Sequence, residues 1–132
     1  MPYTIEVRSK DSMIIAIMDK GFNPGQDLEG YVQELKTQLD QLSQPVVLIT
    51  DVTDASAGFG DVVAGLGLLT QGKLAVLGHP NISHIIVVTT NNLYAMGAKA
   101  LGQPQYGSLH VSVASTLEEA IEQVQQGHSA QS

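Results

Sequence analysis

The sequence predicts an α/β fold: an N-terminal β-hairpin is followed by α-β-α-β-α-β-α, giving a mixed sheet flanked by helices. Three observations predict it. Apolar and polar residues alternate near the N-terminus, which is typical of a half-buried strand. Two later runs, 46–50 and 85–88, are continuously apolar, as in strands buried on both faces. Before the first run, apolar residues recur at helical spacing, and helical segments alternate with the later strands, which predicts crossover helices and parallel pairing after the hairpin.

The first elements follow from this pattern. Tyr3, Ile5 and Val7 alternate with polar residues, and a second apolar stretch covers 13–18 after the polar turn 9–12. The first helix ends before Pro45 and has its apolar residues at helical spacing: Leu28, Val32, Leu35, Leu39 and Leu42. These positions predict an antiparallel hairpin followed by one amphipathic helix.

The remaining elements are a strand over 46–50, a helix over 61–77, a strand over 85–88, a helix over 93–101 and a strand over 109–113. A final helix begins at Ser115 and Thr116 and carries Leu117, Ala120, Ile121 and Val124. Glu118 and Glu119 are placed to complete an N-terminal cap. We expect one domain over 1–126 and a flexible tail over 127–132.

Composition restricts the class of protein. The 132 residues suit a single domain, and the formal net charge of −7 opposes binding to nucleic acid. The chain has no cysteine, which excludes disulfides and thiolate catalysis and favours a reducing cytoplasm. No apolar segment is long enough to span a membrane, so we expect no membrane insertion.

The segment after the strand at 46–50 reads Asp51-Val-Thr-Asp-Ala-Ser-Ala-Gly58. Together with the order of elements, it resembles the STAS-like domains, the family of anti-sigma-factor antagonists and sulfate-transporter tails. The resemblance implies a regulatory module without catalytic activity, with a phosphoacceptor at Ser56 or Thr53. From the residues alone, Ser56 instead caps a helix and Thr53 or Asp54 shapes the turn. Asp51 then accepts hydrogen bonds from nearby backbone groups.

The carboxyl ends of parallel strands meet at one edge of a sheet, and ligands or partners bind there. We therefore expect a polar surface for a partner or ligand at this edge. It comprises Asp51, Asp54, Gly58, Thr89, Asn91, Asn92 and Ser115. Asn91 or Asn92 caps the following helix. No histidine or carboxylate pair converges there, so we expect no catalytic residues, no cofactor and no enzymatic activity.

The histidines do not predict a metal site. His79 and His84 stand before the strand at 85–88, away from Asp51, without a third ligand at suitable spacing. His110 alternates with Leu109 and Val111 and is expected on a polar face.

The predicted helix over 61–77 is apolar almost all round. Three explanations remain open: a homodimer interface on its outer face, a deep core position, or a cavity for a small apolar ligand. The cavity would be bounded by Val63, Leu66, Leu69 and Ile86. The function predicted is a regulatory, homodimeric protein-interaction module that resembles an anti-sigma-factor antagonist. The alternative is a carrier of a lipid-like molecule.

Overall fold

The computed structural model describes residues 3–22, 24–54, 76–77, 79–100, 102–103 and 109–131. The elements are, in chain order, β1 (Tyr3–Arg8), a 3₁₀ turn (Ser9–Asp11), β2 (Met13–Met18), α1 (Pro24–Asp40), β3 (Val46–Asp51), β4 (Ile82–Val88), α2 (Asn92–Ala100), β5 (Val111–Ala114) and α3 (Leu117–Gln131). None of the helices in these residues is long and apolar enough to cross a membrane.

The five strands form one sheet in the order β1-β2-β3-β4-β5. β1 and β2 are antiparallel, whereas each later pair is parallel. The hairpin turn closes with Ser12 in the left-handed region, at φ 54°, and its N–H donates to the Ser9 carbonyl at 3.2 Å. The predicted α/β class with a mixed sheet is therefore confirmed.

Each face of the sheet carries its own core, because successive side chains of a strand point to opposite faces. In β2, Ile14 and Ala16 pack on the face that α1 covers, and Met13 and Ile15 pack on the opposite face. The apolar stripe of α1 fills the first core with Leu28, Tyr31, Val32, Leu35 and Leu39. The second core includes Ala120 and Val124 of α3, packed against β3, β4 and β5. The sheet is thus flanked by helices on both faces, as predicted.

Several boundaries differ from the prediction. β4 begins at Ile82, three residues early, because pairing with β3 extends the strand through polar residues that an apolar run does not reveal. The predicted helix over 61–77 lies outside the described residues except at its end, where Val76 and Leu77 are not helical. Both are nevertheless buried in the core beneath α1.

The ends of the last two elements also differ. β5 covers Val111–Ala114 rather than 109–113. The final helix continues to Gln131, through residues predicted to be a tail, although Gly127 has a low helix propensity. Its predicted start is confirmed, since the Glu119 N–H donates to Thr116 Oγ1 at 3.1 Å.

Candidate functional site

The carboxyl ends of the parallel strands lie level with one another. Ile17, Asp51, Val88 and Ala114 form one row across β2 to β5. The segments that follow β3, β4 and β5 therefore emerge side by side at one edge. We call this surface the carboxyl edge and define it by residues 51–54, 89–92 and 115–116.

Asp51 organises the turn after β3. Its Oδ1 accepts a hydrogen bond from the Thr53 N–H at 2.9 Å and a second from the Thr53 hydroxyl at 2.5 Å. This is an Asx-type turn, in which a carboxylate takes over the bonding of a backbone carbonyl. Asp54 follows it and is exposed. The predicted capping role of Asp51 is confirmed.

The segments after β4 and β5 are built in the same manner. Thr89 is buried, with 4% of its surface exposed, and its Oγ1 accepts a hydrogen bond from the Asn91 N–H at 3.0 Å. Asn91 stands immediately before α2, and its carbonyl accepts the Ala95 N–H, so Asn91 occupies the N-cap position. Asn92 is the first residue of α2 and is exposed, as is Ser115 before α3.

The structure thus brings together six of the residues predicted for this surface: Asp51, Asp54, Thr89, Asn91, Asn92 and Ser115. Ser56 and Gly58 lie outside the described residues, as do Val63, Leu66 and Leu69. Ile86 is buried in the core beneath α3 and packs with Ala114, Ala120 and Val124.

Thr53 has a carboxylate against its hydroxyl. Addition of a phosphoryl group would break the hydrogen bond to Asp51 and place a second negative charge beside the first. The Asp51 carboxylate therefore disfavours phosphorylation of Thr53 on electrostatic grounds. The choice between Ser56 and Thr53 stays a prediction.

An aromatic cluster supports this edge from the α1 side of the sheet. Tyr3, Phe22 and Tyr31 contact one another edge to face, with ring centroids 5.5–6.2 Å apart. Tyr31 is 2% exposed, and its hydroxyl is hydrogen-bonded to the side chain of Thr50, next to Asp51. Burial raises the pKa of Tyr31 well above its ordinary range, and the bond to Thr50 offsets only part of this effect. The cluster therefore joins β1, α1 and the end of β3.

The raised pKa of Tyr31 predicts a loss of stability in alkali. Above a pH of about 10 the unfolded chain releases the Tyr31 proton while the folded chain retains it, so the free energy of unfolding falls as the pH rises. We expect the wild type to lose about 1 kcal/mol more than Tyr31→Phe between pH 10 and 11, and less between pH 9 and 10, because the unfolded tyrosine is only half ionised at pH 10. Urea unfolding at pH 9, 10 and 11 measures the difference; equal slopes would contradict it.

The opposite edge, where β2 to β5 begin, is the amino edge. Here His79 Nε2 lies 2.7 Å from Asp40 Oδ1, at the end of α1. The Asn81 side chain donates to the carbonyls of Leu39 and Leu42 at 2.9 and 3.1 Å.

Two small clefts of about 120 and 220 Å³ are found at the amino edge, and His79, His84 and His110 line the smaller one. His84 lies within β4, not before it as predicted.

Sequence reasoning missed three side-chain groups: the bond between Tyr31 and Thr50, the contacts of Asn81, and the proximity of His84 to His110. Only Tyr31 left a local signal, because it stands three residues after Leu28 and four before Leu35 on the apolar stripe of α1. The other two groups depend on strand register and chain packing.

Comparison with known proteins establishes the fold. No protein-family model matches the chain, and no curated protein is significantly similar to it. A solved structure from Shewanella loihica PV-4, of an uncharacterized protein from the DUF3478 family with a SpoIIAA-like fold, is similar over 92% of this chain and 91% of that one. The TM-score is 0.59 and the sequence identity 13%. The chain therefore has the SpoIIAA-like form of the STAS-like fold, as its sequence predicted.

Proposed function

We propose that this chain is a regulatory protein-interaction module without catalytic activity, which binds a partner protein through the carboxyl edge. The observation that carries the proposal is the level row of strand ends at Ile17, Asp51, Val88 and Ala114. It turns three separate polar segments into one continuous surface. The fold supports the proposal by analogy alone, because a single fold serves many functions.

The chemistry of the surface suits recognition better than catalysis. Asp51 and Thr89 accept hydrogen bonds from their own turns, which fixes the shape of the edge. No histidine is present in the described segments 51–54, 89–92 and 115–116, and Asp51 is bonded within its own turn, so Asp54 is the one carboxylate of these segments placed to act as a general base. Exposed amide, hydroxyl and carboxylate groups of Asn92, Ser115 and Asp54 remain for a partner to contact.

Charge indicates the kind of partner. Asp51 and Asp54 give this edge two carboxylates, and the chain as a whole carries a formal charge of −7. A partner with a basic contact surface would associate faster and dock in a preferred orientation. We further propose that the module is cytoplasmic and homodimeric and that phosphorylation of Ser56 or Thr53 adjusts its affinity, because a dianion added here would change how a basic surface binds.

Native mass spectrometry of the protein isolated from its own cells tests the proposal. A single spectrum reports the number of subunits, a bound protein, a covalent phosphate and any retained small molecule. We expect a complex with a second protein at fixed stoichiometry. A chain that carries an apolar molecule and no protein would instead favour the alternative, a carrier of lipid-like ligands.

Two charge-reversal variants locate the contact. Asp54→Lys reverses an exposed carboxylate on the carboxyl edge, whereas Glu122→Lys makes the same change at an exposed position on α3. We expect the Asp54 variant to bind the partner at least about tenfold more weakly, a change of 1.4 kcal/mol, and the Glu122 variant to bind as the wild type does. Equal affinity of the two variants would contradict binding at this edge.

A further inference from the structure

His84 and His110 lie side by side at the amino edge. The ladder between β4 and β5 begins with the pair Ile85 and Val111, and the Ile85 N–H donates to the His110 carbonyl at 2.9 Å. One residue earlier on each segment, His84 of β4 lies beside His110, which immediately precedes β5, and both line one cleft. Neighbouring strands are about 4.8 Å apart, so the two residues are close enough for both imidazoles to reach one ion.

Both imidazoles are on the same face of the sheet. Ile86 and Ala114 pack in the core beneath α3, and strand alternation places His84 and His110 on that same face. A contact confirms this direction, since His84 Nε2 lies 2.9 Å from Ser112 Oγ, and Ser112 is the partner of Ile86. His84 is half-buried, and His110 is exposed to solvent.

The contact with Ser112 prepares His84 to act as a ligand. When Nε2–H donates to the Ser112 hydroxyl, the lone pair of the ring is on Nδ1 and is free to bind. Histidines that bind metals almost always have such a partner on their second nitrogen. Burial, and secondarily the charge of His110, lowers the pKa of His84.

We propose that His84 and His110 together bind one divalent transition-metal ion, of the class to which zinc belongs. Imidazole nitrogens are ligands of choice for such ions and bind zinc at about 2.0–2.1 Å. Among the described residues no group of three histidine, cysteine or acidic side chains could hold a metal. The described residues thus supply two protein ligands, and the exposure of His110 leaves the ion accessible to water. The formal charge of −7 favours the approach of a cation.

Isothermal titration of the full chain, free of any histidine tag, with zinc chloride at pH 7.5 tests the site. We expect one zinc ion per chain. His84→Gln and His110→Gln should each weaken binding at least about tenfold, because each removes one of two protein ligands. Glu29→Gln is the control: it removes one exposed candidate ligand from α1, which covers the other face of the sheet, and should leave the affinity unchanged.

The imidazole signals in a nuclear magnetic resonance spectrum identify the ligands directly. Zinc should shift the ring resonances of both His84 and His110 in the wild type, and far-ultraviolet circular dichroism checks that each variant is folded. Absence of zinc binding in the wild type would overturn the proposal. So would an affinity that neither histidine substitution lowers, or one that Glu29→Gln lowers equally. Because His110 is exposed, its variant tests the site even if His84→Gln does not fold.

Discussion

Replacing Tyr31 with alanine should lower the free energy of unfolding by about 3–5 kcal/mol, the loss typical of a large buried aromatic residue. Tyr31 is 2% exposed in the core between α1 and the sheet, and it contacts the rings of Tyr3 and Phe22. The substitution removes these contacts and leaves a cavity under the end of β3. Urea denaturation measures the change, with the slope of the transition checked against the wild type.

Tyr31→Phe is the matched control. It keeps the ring and its contacts but removes the hydroxyl, which leaves the Thr50 side chain without this partner. We expect a loss of only about 1 kcal/mol, the usual net value of one hydrogen bond. If both variants lost the same free energy, the hydroxyl rather than the packed ring would hold this region together.

The position of Tyr31 connects stability with the proposed function. Thr50 directly precedes Asp51, whose carboxylate shapes the turn at the carboxyl edge. A domain is stable by only about 5–15 kcal/mol, so a loss of 3–5 kcal/mol depletes the folded form, and with it partner binding, when the wild type lies at the lower end of that range. Binding constants measured for Tyr31→Ala therefore have to be corrected for the fraction of folded protein. Asp54→Lys needs no such correction if its free energy of unfolding equals that of the wild type.

Local pattern was sufficient to predict most of the fold and part of the site. The continuous run at 46–50 predicted a strand buried on both faces, and β3 covers Val46–Asp51. Because the sequence pattern shows where a parallel strand ends, Asp51 and Thr89 could be assigned to one edge of the sheet from the sequence alone. The α1 stripe and the cap at Thr116 likewise depend on residues within four positions of each other.

The features that the local sequence pattern could not predict depend on contacts between distant segments of the chain. His84 and His110 are 26 positions apart, and only the register of β4 against β5 makes them neighbours. β4 extends to Ile82 because β3 offers it hydrogen-bonding partners, although Ser83 and His84 are polar. The contacts of Asn81 with the end of α1 span 39 and 42 positions. A single sequence has no local signal for any of these pairings.

Replacing Asn81 with alanine should lower the free energy of unfolding by about 2 kcal/mol, since each of two hydrogen bonds contributes about 1 kcal/mol. The Asn81 side chain donates to the carbonyls of Leu39, in the last turn of α1, and of Leu42, just beyond the helix, where i to i−4 bonding ends. Its backbone carbonyl also accepts the Val46 N–H at 2.7 Å. One residue thus connects the end of α1 to the starts of β3 and β4.

Two further substitutions separate this role from a general weakening of the amino edge. Ser83→Ala removes one hydrogen bond, from Ser83 Oγ to the Val46 carbonyl, and should cost about 1 kcal/mol. Asn81→Asp keeps the size of the side chain but offers the two carbonyls a carboxylate in place of a donor, so it should be more harmful than alanine. Urea denaturation at pH 7 ranks the three variants, and an Asn81→Asp protein as stable as the wild type would show that the amide does not cap α1.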